Sequence, residues 1–258
     1  MRRISRRSFA WAGVAVASTY GVLHWIFTRR QDNGIPWPLR RGLDVNEQVW
    51  TDIYDGKRKV PTYADSQITE ERENGDEGLH NTDDDTLDDF DPATWKLHLV
   101  GSAADSDPIE ITLADIQKLP HVEQVTELFC IEGWSIVQKW KGVRFVDFAA
   151  KYPPPTTDGS EADVVKSPEM LVPYVGMKTP NGGYYVGLDM QSALHPQTLL
   201  CWEMNGKPLE VEHGAPLRLV IPTKYGVKNI KRIGTITYST DRPKDYWAEQ
   251  GYDWYAGL

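Results

Sequence analysis

Cysteine is almost missing from this sequence of 258 residues: there are two, Cys130 and Cys201. Two cannot build a disulfide framework, a four-cysteine zinc site or an iron–sulfur cluster. No CxxCH segment is present to attach a haem covalently. Internal repeats are also lacking. Basic residues are in deficit, 28 Lys and Arg against 37 Asp and Glu, for a net charge of −9. That balance speaks against nucleic-acid binding. What is plentiful is apolar and aromatic side chain. Forty per cent of residues are apolar and ten are Trp, which excludes a chain disordered throughout and allows a sizeable core.

Residues 1–30 contain no acid and six arginines, so the rest of the chain carries −15 where the whole carries −9. Arginines flank an apolar stretch at 9–27, the pattern of a targeting or anchoring segment. Ser5-Arg6-Arg7-Ser8-Phe9 resembles a twin-arginine export signal, a route that carries folded proteins. Ala15-Val16-Ala17 resembles a cleavage site, but too few apolar residues precede it. An uncleaved helix over 9–27 is therefore expected, about 28 Å long against a hydrocarbon core of ~30 Å.

Residues 31–92 read as a polar, acidic approach segment partly wrapping the core. Ile35-Pro36-Trp37-Pro38 is expected to be extended. Residues 81–91 are densely acidic but lack the Gly and the closing Glu of a calcium loop. They read as a solvated loop or a docking face for a basic electron-transfer partner.

Residues 93–258 look globular. Strands are expected at 95–100, 125–131, 170–176, 184–187, 217–221 and 233–238. A hairpin is expected at 198–209, turning on Asn205-Gly206. Short helices are expected after Thr112 and Asp189 and over 145–152. Many strands, few helices and no βαβ rhythm give an α+β core.

Two segments carry chemical information. In Glu127-Leu-Phe-Cys130-Ile-Glu132-Gly-Trp134-Ser135 a cysteine ends a strand before a glycine loop. Cys130 fits a buried hydrophobe, a disulfide with Cys201 or a thiolate metal ligand. The second segment runs from His213 to Arg232. It holds Arg218, Lys224, Lys228, Lys231 and Arg232, and no acid occurs from Gly214 through Thr240. Cations around the Tyr225-Gly226 turn suit a bound phosphate, and equally suit a solvated basic face.

Together these segments resemble the sulfite-oxidase-fold molybdopterin enzymes, through C-x-E-x-W-S and H-G-x-P-x-R-L-x-x-P-x-K-Y-G-x-K-x-I-K. Within that family Cys130 to Ser135 look most like the catalytic subunits of bacterial periplasmic methionine-sulfoxide reductases. The resemblance implies an α+β molybdopterin-binding fold after one N-terminal hydrophobic helix. It implies one molybdopterin without a nucleotide, one molybdenum, and neither haem nor iron–sulfur cluster. It implies Cys130 as the metal's thiolate, with Glu132 and Trp134 shaping the pocket. Cofactor contacts carry over to His213, Arg218, Asn229, Ile230 and Lys231, and more weakly to Lys224 and Lys228. Asn74 matches an Asn-containing cofactor loop, with Asp76 and Glu77 beside it, although the family's tyrosine there is absent.

Sulfite oxidases carry an arginine-bearing segment after the cysteine, where this chain has Ile131-Glu132-Gly133-Trp134. A glutamate and an indole there disfavour an anionic substrate. The resemblance therefore implies oxygen-atom transfer from a small S-oxide or N-oxide. Electrons would come from a membrane cytochrome or quinone-linked partner, on the periplasmic side of a bacterial inner membrane. Without room for the sulfite oxidases' dimer domain, a monomer is expected. The aromatic tail at 246–255 reads as a cover for the core, or else as a wall over the cofactor mouth. One alternative is a molybdoenzyme oxidising another small substrate toward a cytochrome. A second is a non-catalytic anion-binding module with a Cys130–Cys201 disulfide, and a third is a tethered structural protein.

Overall fold

The apolar run near the N-terminus forms helix α1 (Arg6–Phe27), whose side chains are almost all exposed. This computed structural model describes residues 6–32, 35–53, 58–72, 91, 94–102 and 107–258. Twenty-two residues of α-helix span about 33 Å, enough to cross a bilayer. A small antiparallel ribbon follows, β1 (Gln31–Asp32) with β2 (Ile35–Pro36). It leads into α2 (Trp37–Ile53).

The extended reading holds for Ile35 and Pro36, which form β2, and helix α2 corrects it for Trp37 and Pro38. Pro38 is the second residue of the helix, where its missing N–H has no intrahelical partner to lose. The helix is held to the rest of the chain by its polar inner face. Arg40 donates to the Ala248 carbonyl at 2.9 Å, and Arg242 pairs with both Asp44 and Glu47.

Residues 58–72 then run as a strap along a sheet. Tyr63 N donates to Val125 O and Thr69 N to Val137 O, both at 3.0 Å. The strap thereby reaches Arg72 beside the turn that follows Cys130.

Two five-stranded sheets carry the core. Alternation of Leu97 and Leu99 with exposed His98 makes β3 (Leu97–Val100), which pairs with β4 (Ile109–Ile111). Thr112 caps α3 (Leu113–Gln117) as expected, its hydroxyl accepting from Asp115 N. Next come β5 (His121–Phe129) and β6 (Ser135–Arg144), paired along their whole length. Strand β6 was not expected from the sequence. Its burial does not alternate, because three successive residues, Ile136, Val137 and Gln138, are buried.

Helix α4 (Phe145–Lys151) packs Phe145 and Phe148 inward. Residues expected to open a strand at 170 instead form a 3-10 turn (Pro168–Met170), and β7 (Tyr174–Lys178) starts later. Strand β8 (Tyr185–Asp189) pairs with β7 and feeds α5 (Met190–Ala193), capped by Asp189. Then come β9 (Leu199–Met204), the Asn205-Gly206 turn with both φ angles positive, β10 (Lys207–Pro208) and β11 (Arg218–Val220). Strand β12 (Thr235–Ser239) and α6 (Tyr246–Glu249) complete the order.

The first sheet runs β10-β9-β6-β5, with β11 also on β9, and the second β4-β3-β12-β7-β8. One large apolar cluster lies between them, built on Leu97, Leu99, Val143, Phe145, Leu200 and Ile236. A smaller one around Trp140, Leu199, Cys201 and Met204 backs the first sheet.

Candidate functional site

A turn at one end of the first sheet sets the position of Cys130. The last β5–β6 pair is Phe129 with Ser135. Beyond it Cys130 N donates to Trp134 O at 2.8 Å and Gly133 N to Cys130 O at 3.1 Å. Gly133 holds φ +86, a left-handed conformation that suits glycine in a tight turn. Glu127 braces the hairpin, accepting hydrogen bonds from Ser135 Oγ at 2.6 Å and from the Tyr63 hydroxyl. Cys130 is buried and lines a cleft of about 420 Å3. Neither it nor Cys201 is in a disulfide, which removes the disulfide-bonded module from consideration. Burial pushes the Cys201 thiol far up, so it behaves as a core residue.

Glu132 and Trp134 stand on the same rim. Trp134 Nε1 donates to Glu132 Oε2 at 2.8 Å, and the Arg72 guanidinium lies 4.4 Å above the indole. The glutamate is thus held by the indole, with a cation close by, and is not the isolated negative charge that the sequence suggested.

The facing wall comes from the basic segment. Arg218 is 4 % exposed. It donates to the carbonyls of His213 at 3.0 Å and Asn229 at 3.3 Å, and stacks on Trp140 at 4.9 Å. No carboxylate is among these partners, and its Nε has no hydrogen-bond partner. Burial pulls this guanidinium down to about 10, still charged at neutral pH. Among the described residues no anion offsets this buried cation, and a buried cation is costly unless paired, so the site suits an anionic ligand. Lys231 and His213 line the same cleft. Burial, then the Arg218 charge, lower the His213 pKa, which favours the neutral imidazole.

The structure divides the other predicted cations. Lys228 is fully buried on the far side of its loop, donating to Asp245 and to Gly187 O. Lys224 lies over the Tyr255 ring, 3.5 Å from an Asp189 carboxylate oxygen. Arg232 donates to the carbonyls of Ala215 and Val211. Of the five basic residues only Arg218 and Lys231 line the cleft, while Lys224 and Lys228 are turned to acids inside the fold. Ile230 belongs to the core. The Asn229 side chain is spent within its own loop, accepting from Ile221 N and donating to Tyr225 O, while the residue still lines the cleft. Asn74, Asp76, Glu77 and the acidic stretch at 81–90 lie outside the described residues.

Trp140, Tyr184 and Met204 also line the cleft and were not singled out from the sequence; Arg72, beside the Asn74 loop, and Trp247 and Tyr252, of the aromatic tail, join them. Trp247 and Tyr252 show that the aromatic tail walls the cleft as well as covering the core, which Trp254 and Tyr255 do. Among the described residues no group of three or more His, Cys, Asp or Glu is placed to hold a metal. A metal beside Cys130 would need most of its ligands from a bound organic group. The buried cation opposite, and a cavity within the 300–1,000 Å3 range of cofactor sites, suit such a group if it is anionic.

The family model for the oxidoreductase molybdopterin-binding domain matches residues 84–247. A chain of Azospira oryzae, provisionally named as the protein-methionine-sulfoxide reductase subunit YedZ1, is 35% identical over 81% of this chain and 71% of its own length. The protein-methionine-sulfoxide reductase catalytic subunit MsrP of Campylobacter jejuni is 36% identical over 66% of this chain and 58% of its own. The MsrP of Xanthomonas campestris is 34% identical over 59% and 47%. The chain thus spans about half the length of these two catalytic subunits. In the solved sulfane dehydrogenase SoxCD of Paracoccus pantotrophus the match covers 59% of this chain and 40% of that one, at 16% identity and a TM-score of 0.49.

Proposed function

The chain belongs to the molybdopterin-binding oxidoreductases, with their sulfite-oxidase-type α+β fold, and from that premise we propose that it reduces S-oxides by oxygen-atom transfer. In the overall reaction an S-oxide, two electrons and two protons give a sulfide and water. The observation that carries the reading is one cleft holding a strand-end thiol, Cys130, and a buried guanidinium, Arg218, that has no carboxylate partner among the described residues. The names of the relatives favour S-oxides over other oxygen donors.

When bound, the molybdenum cofactor supplies a two-electron centre able to take up an oxygen atom. The protein's part is to hold and orient. Cys130 supplies a thiolate, a soft ligand suited to this metal. Arg218, Lys231 and the main chain around Gly226 and Asn229 bind the phosphate end. Tyr184, Trp247 and Tyr252 wall the cleft and exclude water. Glu132 and Trp134 shape the substrate's approach.

The N-terminal segment supports export by the twin-arginine route and retention by α1 on the periplasmic face of the membrane. Electrons would then arrive from a membrane cytochrome or quinone-linked partner.

The test is metal, phosphorus and pterin analysis of natively exported protein, with S-oxide turnover driven by a reduced dye. About one molybdenum per chain, turnover of dimethyl sulfoxide, and loss of both metal and turnover in Cys130→Ser are expected. Full turnover in Cys130→Ser, or metal-replete protein inert to every S-oxide, would overturn the reading.

A further inference from the structure

Three side chains lining the cleft, Arg72, Glu132 and Trp134, form one arrangement. Trp134 holds a carboxylate at its edge, Glu132 Oε2 at 2.8 Å from Nε1, and a guanidinium on its face, Arg72 at 4.4 Å. Both charged residues are exposed and both line the cleft. The two opposite charges are held on one ring yet are not paired with each other. Among the described residues Arg72 enters no ion pair, and Glu132 accepts only the indole N–H. The ring fixes each charge while leaving hydrogen-bonding capacity free: the guanidinium's donors, and the second carboxylate oxygen.

We propose that Arg72 and Glu132 form a two-charge recognition site on Trp134 that selects zwitterionic S-oxides, the free amino-acid S-oxide being the class that fits. The inference rests on the S-oxide reading above. A free amino acid carries an ammonium and a carboxylate on one carbon. Its carboxylate meets the Arg72 fork, which suits planar bidentate recognition. Its ammonium meets Glu132. The side chain is left free to enter the cleft toward Cys130, two residues before Glu132 in the same turn. A peptide-bound S-oxide presents neither charge at its own α-carbon. A simple anion would gain Arg72 but meet Glu132.

The experiment compares kcat/KM of the holoenzyme for free L-methionine S-oxide and for its N-acetyl amide. A preference of about tenfold for the free amino acid is expected, from charge-assisted hydrogen bonds at a solvent-exposed rim. Arg72→Gln should collapse this ratio toward one through KM for the free amino acid. Arg72→Lys should retain part of it, and added salt should reduce it in the wild type. A wild-type ratio near one, or a preference for the amide, overturns the proposal. So does loss of pterin from Arg72→Gln, since Arg72 would then serve the cofactor. Wild-type turnover of dimethyl sulfoxide separates the two ideas. If it is present with a ratio near one, only the zwitterion site fails; if no S-oxide is turned over, both fail.

Discussion

Gly226 lies against the main chain of Cys130. A β-carbon on Gly226 would stand 3.3 Å from Phe129 O and 3.7 Å from Cys130 Cα. This approach brings the basic segment against the strand end that carries the thiol. Two stretches nearly a hundred residues apart in sequence thereby meet at one edge of the cleft.

Gly226→Val should therefore part that contact. The added methyls meet a backbone carbonyl, which cannot swing aside, at an overpacking cost of about 1–3 kcal/mol. We expect the variant to be isolated with less than half the wild-type molybdenum and pterin. Gly226→Ala, needing a shift of only tenths of an ångström, should keep most of both. Elemental analysis and pterin fluorescence decide it.

Lys228 should prove structural. Its ammonium and the Asp245 carboxylate are buried together, and Asp245 also accepts from Gly187 N and caps α6 through Ala248 N. Removing one partner of such a pair costs about 3–5 kcal/mol. Lys228→Met and Asp245→Ala should both lower the urea midpoint strongly, in cofactor-free as in loaded protein. A loss confined to loaded protein would place Lys228 with the cofactor instead.

Lys224 gives stability a pH dependence. Burial pulls its ammonium down to about 7, against the opposing pull of Asp189; Lys228 lowers it further and Glu47 works against that. An unfolded lysine titrates near 10.4. Between these values the unfolded chain holds a proton that the folded chain has released, so stability rises with pH across the window. The Lys224 contribution is at most about 1.4 kcal/mol per pH unit. Urea unfolding at pH 7, 8 and 9 should show a steeper rise in wild type than in Lys224→Met.

The N-terminal helix should anchor the protein. Carbonate washing should leave the full chain in the membrane fraction. Replacing Arg6 and Arg7 together by Lys should block export, read by protease protection in spheroplasts.

The sequence announced local devices well and distant partnerships poorly. Thr112 and Asp189 cap where expected, because a cap is written within four residues. Asn205-Gly206 turns as its backbone preferences dictate. Strand β6 escaped notice because it is paired on both edges and partly buried on both faces, so alternation fails. Helix α2 was hidden behind Pro38, a proline that its first turn tolerates. In the site, Cys130, Glu132, Trp134, His213, Arg218, Asn229 and Lys231 do line one cleft. Lys224 and Lys228 look the same as Lys231 in sequence, and only the remote acids Asp189 and Asp245 turn them away. Trp140 and Tyr184 come from segments with no local signal of chemistry.

Strand β12 lies in the middle of the second sheet, parallel to β3 on one side and antiparallel to β7 on the other, with Thr235 opposite both His98 and Lys178. Its two neighbours are made long before it. On the ribosome, β4-β3 and β7-β8 must wait as separate hairpins, each with an open edge, until residues 235–239 emerge and slot between them. Such late, long-range closure is slow and leaves edges exposed to other chains. The nascent protein thus has reason to need a holding chaperone, and its assembly is timed by completion of synthesis.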